Sequence, residues 1–107
     1  MYEKERAKSS THFTFGISVD CVVFGFDGSD VKVLVIKRGN EPYKNFSAIP
    51  GDLVHKQEDP LDATKRVLNE LTGLKDIYLE QLKAFAGVNR HPLGRVVTIA
   101  YYSLIKI

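Results

Sequence analysis

Asp52, His55, Glu58, Arg66 and Glu70 put three carboxylates, an imidazole and a guanidinium within one stretch, PGDLVHKQEDPLDATKRVLNELTGL, running from Pro50 to Leu74. Carboxylates and an imidazole close to one loop–helix junction could hold a divalent metal. Magnesium takes oxygen ligands in near-octahedral geometry and keeps substrate phosphate oxygens among them. There it neutralises charge on a phosphoryl group and activates an attacking water. The residues alone support a plainer reading as well. Glu70 follows Arg66 at the i,i+4 step of an ordinary helix-surface ion pair. His55, Lys56 and Gln57 read as a solvated loop, and Asp52 as a turn residue. The sharper alternative is a rearranged metal site that gathers Asp52, His55, Glu58 and Glu70 at one loop–helix junction.

A helix must position these groups, and the sequence marks both of its ends. Asp59 is a good N-cap, Pro60 suits the first helical position, and Asp62 places negative charge in the first turn. Gly73 supplies the left-handed residue that stops the helix. Between them Leu61, Thr64, Val67, Leu68 and Leu71 recur at helical steps and form one apolar face. Positions 67, 70 and 71 fall within roughly 100° of arc at 3.6 residues per turn, so acids at all three would make one patch. Two of the three are Val67 and Leu71.

This stretch resembles the signature of the Nudix hydrolases, G-x5-E-x7-R-E-U-x-E-E-x-G-U with U aliphatic. Glu58, Arg66, Leu68, Glu70, Gly73 and Leu74 match it; Asp52, Val67 and Leu71 depart from it. The resemblance implies an α+β fold, a Nudix-type α/β/α sandwich with a mixed sheet. It also implies hydrolysis of a diphosphate linkage by metal held on this helix. With Val67 and Leu71 in place of acids, the expectation is that the usual metal site is lost and that Glu58, Arg66 and Glu70 are its remnant. No cofactor is then required, magnesium serving only if some hydrolysis survives. Asp52, Glu58 and Glu70 are the remaining metal candidates.

The whole chain bounds the answer further. At 107 residues it has the size of one small domain, and 44% hydrophobic with 26% charged residues is ordinary for a globular one. A net charge of +2 is too small to imply nucleic-acid binding from electrostatics. Cys21 is the single cysteine, so no internal disulfide forms, and its place in an apolar strand suits a buried small hydrophobe. The longest apolar run, Cys21–Phe26, is far too short to span a bilayer, and no signal core follows the charged N-terminus. No membrane partner and a cytoplasmic location are expected.

Residues 1–11 read as a flexible polar tail and 12–107 as the domain. Phe13–Phe26 reads as a strand in which Ile17, Val19, Cys21 and Val23 alternate. Asp27–Asp30 is a turn and Val31–Arg38 the returning strand. Ile77–Ala86 is a further strand with imperfect alternation, and Arg95–Ile107 a strong one. Tyr101 and Tyr102 face opposite ways, so one belongs to the core.

Outside this signature, the Nudix box, the chain is similar to Nudix-related transcriptional regulators of bacteria, the NrtR type. The likeness lies in ISVDCVVFGFD (Ile17–Asp27) with VKVLVIKRG (Val31–Gly39), in Lys65–Phe85, and in RVVTIAYYSLI (Arg95–Ile105). It implies a ligand-sensing domain that binds a sugar or an ADP-ribose-like nucleotide with little or no hydrolysis. It further implies a homodimer, with DNA contacted only through a winged helix beyond residue 107. On this reading the domain is incomplete at its C-terminal end. Arg38, Arg90, His91 and Arg95 are the expected ligand contacts, since guanidinium groups hold phosphate in bidentate geometry. The alternatives are a hydrolase of nucleoside diphosphate derivatives with an altered metal site, and a dimerisation module that takes no ligand.

Overall fold

The computed structural model describes residues 15–41, 43–90 and 94–107. The tail expected at residues 1–11 and the candidate His91 lie outside the described residues. Elements follow in the order β1 (Gly16–Phe26), β2 (Val31–Val33), β3 (Ile36–Lys37), β4 (Ser47–Ala48), β5 (Gly51–Leu53), α1 (Pro60–Thr72), β6 (Glu80–Phe85) and β7 (Val96–Lys106).

The two long strands, rich in β-branched and aromatic residues, lie side by side at the centre. β1 and β7 pair in parallel from Gly16↔Val96 to Phe26↔Lys106. β6 runs antiparallel on the far side of β7, while β2 and β5 share the remaining edge of β1. The sheet is therefore mixed, as expected. The returning strand is shorter than the expected Val31–Arg38. β2 pairs with Phe24–Phe26, β5 already occupies Ser18–Asp20 of the same edge, and the chain must leave β1 between them. Ile36 and Lys37 pair instead with Ala48 and Ser47 in a separate ribbon.

The imperfect alternation of the strand after the helix also has a cause. β6 carries a register shift between Gln81 and Lys83, so Leu82 is an extra residue that breaks the two-residue period. Hydrogen bonds at both ends fix α1. The Asp59 carboxylate accepts from Asp62 N at 3.0 Å, and Gly73, at φ 79°, donates to Asn69 O. That φ is one that glycine adopts without a Cβ penalty.

Alternation along β1 and β7 gives the sheet two unlike faces. Val19, Cys21, Val23 and Tyr101 meet Ala63, Val67 and Leu68 of α1 in the core. Full burial of a side chain such as Leu68 stabilises by about 1.5–3 kcal/mol. Polar atoms in this layer are paired: the Thr64 hydroxyl donates to Pro60 O, and that of Ser103 to Tyr78 O. The opposite face carries Ser18, Asp20, Val22 and Phe24 beside Thr98, Ala100, Tyr102 and Leu104. Tyr101 is thus the core tyrosine, and Tyr102 lies on the other face, where its hydroxyl donates to Glu80. Among the described residues no helix is long and apolar enough to cross a membrane.

Candidate functional site

β5 and the loop that follows it bring the chain to the start of α1, and Arg66 ties the two together. Its Nε donates to Glu58 Oε1 and Oε2 at 3.1 and 3.0 Å, and its Nη2 to Glu58 Oε1 at 2.7 Å. The same Nη2 donates to Leu53 O of β5 at 3.0 Å, and Nη1 reaches Glu70 at 3.4 Å. Glu58 accepts one more bond, from His55 N at 2.9 Å. The Arg66 guanidinium, with that amide, holds the Glu58 carboxyl down to about 2. Glu58 is therefore a committed anion, bound into the loop. Asp52 accepts from the neighbouring Leu53 N, and the His55 ring stands 3.8 Å from Glu58.

This arrangement does not fit a magnesium ion of the usual kind. Octahedral oxygen ligation needs several converging donors with lone pairs to spare. Among the described residues no group of three His, Cys, Asp or Glu side chains converges. Glu58 faces Arg66, and the side chain of Glu70 is 59% exposed at the edge of the same network. Val67 is 2% exposed, turned into the core against the sheet, whereas Leu71 is 45% exposed. The arc read from helix geometry thus spans the boundary between core and solvent. An acid at 67 would begin from a dry position, so rebuilding the patch would strain the core.

The three described arginines among the expected contacts, Arg38, Arg90 and Arg95, are spread out, and each bonds to protein atoms. The backbone of Arg38 pairs with Asn45 and Phe46 in the β3–β4 ribbon. Arg95 donates to Ala86 O at 3.1 Å and stacks on the ring of Phe15, its Cζ 4.9 Å from the centroid; its buried Nε has no partner. Arg90 folds back over the second face of the sheet, where its Nη2 donates to Val96 O at 3.1 Å and to the Thr98 hydroxyl.

Arg90 belongs to a polar group that was not singled out from sequence. Ser18 and Thr98 bond across the β1–β7 seam at 2.7 Å. Asp20 stands on the same face of β1, and burial raises its carboxyl above the usual range, against the pull of Arg90. Polar residues at 18 and 20, alternating with the apolar residues 17, 19 and 21, were the available signal. A hollow of about 620 Å³ lies elsewhere. It is lined by Lys65, Leu68 and Asn69 with Leu74–Leu79, on the flank of α1 turned away from Arg66 and Glu70.

Comparison with known proteins places this geometry. The NUDIX domain family matches residues 14–105. The chain is 35% identical over 92 residues to the ADPR responsive transcriptional repressor NtrR of Acinetobacter baylyi, covering 84% of this chain and 37% of the repressor. It is 35% identical over 79 residues to an ADP-ribose pyrophosphatase of Methanocaldococcus jannaschii, covering 74% of this chain and 47% of that enzyme. It thus spans less than half the length of either curated relative. The NUDIX domain of Shewanella oneidensis NrtR, solved with ADP ribose, superposes with a TM-score of 0.85 at 27% identity, covering all of this chain and 73% of that one. With a family match across nearly the whole chain and the same fold in a solved relative, this chain belongs to the NUDIX family.

Proposed function

We propose that this chain is the ligand-sensing part of a transcriptional regulator, binding ADP-ribose or a related sugar nucleotide with little or no hydrolysis. One observation carries the reading: the loop before α1 and the helix itself keep the Glu58–Arg66 pair, while two acid positions of the signature are Val67 and Leu71. A protein selected for turnover would need those acids. One selected for binding needs only the scaffold. Likeness to an ADPR responsive repressor and to a NUDIX domain solved with ADP ribose supports the effector class. DNA contact and a dimer would then belong to the longer protein.

The second reading is a pyrophosphohydrolase with an altered metal site, favoured by the 35% identity to an ADP-ribose pyrophosphatase. One pair of measurements separates the two. Titration calorimetry of ADP-ribose, with and without magnesium, reports binding, and AMP release over hours reports hydrolysis. Saturable binding indifferent to magnesium, with no AMP formed, is the expected result. Rapid magnesium-dependent AMP release would replace the first reading with the second.

A further inference from the structure

The hollow of about 620 Å³ lies between one flank of α1 and the segment that carries the chain from α1 to β6. Small-molecule sites run from about 300 to 1,000 Å³, so its size suits a small ligand. The floor is apolar: Leu68 is fully buried, and Leu74, Ile77 and Leu79 pack half-buried against the core. Lys65, Asn69, Lys75 and Asp76 also line the space. Among the described residues none of these four side chains has a hydrogen bond or an ion pair. Charges of both signs thus border one apolar hollow without pairing. Its walls are fixed. The Thr72 hydroxyl donates to Leu68 O at 2.6 Å and accepts from Leu74 N at 3.2 Å. The buried Ser103 hydroxyl donates to Tyr78 O. Asp76 stands at φ 57°, a left-handed conformation that few residues other than Gly, Asn and Asp adopt.

From this combination we infer that the hollow binds an α-amino acid with an apolar side chain. Lys65 and Lys75 meet its carboxylate, Asp76 its ammonium, and the floor of Leu68, Leu74, Ile77 and Leu79 its side chain. A simple organic anion would leave Asp76 opposed to it, and a simple cation would meet two like charges. A zwitterion uses both signs. The Asn69 amide carries donors and an acceptor, so it can bond to either end. Tyr78, 75% exposed at the rim, adds a ring on which an aromatic side chain can pack. This flank of α1 is turned away from Arg66 and Glu70. The ligand is therefore distinct from the effector proposed above, and the inference does not rest on that reading.

The test is NMR titration of the full chain, labelled on its amide nitrogens, with L-phenylalanine, 3-phenylpropionate and 2-phenylethylamine. These share one ring and carry both charges, the negative alone and the positive alone. Saturable shifts are expected at Lys65, Asn69 and the amides from Leu74 to Leu79. L-phenylalanine should bind about fivefold or more tightly than either analogue, the factor that one part-exposed ion pair supplies. Asp76→Asn keeps a side chain that tolerates the left-handed backbone, and should leave L-phenylalanine no tighter than 3-phenylpropionate. Lys65→Gln with Lys75→Gln should leave it no tighter than 2-phenylethylamine. Thermal melts confirm that the variants fold, and the comparison of three compounds on wild type stands without them. Equal affinity for all three would reduce the hollow to an unselective apolar surface. Tighter binding of 3-phenylpropionate than of L-phenylalanine would make it a site for anions. Either result overturns the inference, as do shifts that do not saturate or that fall outside the hollow. None of these outcomes bears on ADP-ribose binding.

Discussion

Nη2 of Arg66 stands 2.7 Å from Oε1 of Glu58 and also bonds Leu53 O, so one guanidinium joins β5, the following loop and α1. This pair should govern acid stability. Glu58 has its carboxyl lowered from 4.5 to about 2 in the folded protein. A depressed folded value means that the contribution is fully present above pH 4.5. It is lost as pH falls from there through about 2. Arg66→Gln removes the main cause of the depression and leaves the His55 amide. Urea melts between pH 2 and 6 should show wild type losing stability across this window. The variant should start lower at neutral pH and fall less. Parallel profiles would mean that Arg66 does not set the Glu58 charge.

The box helix was legible because its signals act locally. Asp59, Pro60 and Gly73 fix its ends through bonds within a few residues, and the structure places them as cap, first residue and stop. Sheet pairing is not local. Ser18 and Thr98 meet across eighty residues of chain, and nothing in either strand announces that β1 and β7 run parallel. The split of Val31–Arg38 is equally hidden, because it arises from competition between β2 and β5 for one edge. In the site, Glu58 and Arg66 could be placed from their spacing. Asp20 could not, since its character comes from Gly51, Ala100 and Arg90, each brought from another part of the chain.

Val67 and Leu71 should answer very differently to the same substitution. Val67 is 2% exposed, and a carboxylate there must lose its hydration or stay protonated. We expect Val67→Glu to cost about 3 kcal/mol or more. Leu71 is 45% exposed, and Leu71→Glu should change stability by no more than about 0.5 kcal/mol. Denaturant midpoints of the two variants measure this directly. Equal midpoints would show that position 67 can turn outward, and the acidic patch could then be restored without loss.

Cys21 should be slow to react. Burial, with Asp20 adjacent in sequence, pushes its thiol up to about 11, and the thiolate is the reactive form. At pH 8 an alkylating reagent should leave it unmodified in the native protein and modify it promptly in urea. Labelling of native protein at the unfolded rate would mean that β1 opens readily, contrary to its central position between β7 and the strands on its other edge.

Gly51 and Asp20 give the sharpest test of packing. A methyl at position 51 would meet Asp20 Oδ1 at 2.0 Å and Val19 O at 2.6 Å. The first obstacle is a side chain that can be removed, while the second is backbone of the central strand. Gly51→Ala should therefore destabilise by about 1–3 kcal/mol as β5 shifts away from β1. Combining it with Asp20→Ala should recover part of that loss, because the carboxylate no longer competes for the space. A coupling of about 0.5–3 kcal/mol is expected for residues in direct contact. Full recovery would assign the whole clash to the side chain. Additive losses would mean that the carboxylate already swings clear of Gly51 in solution.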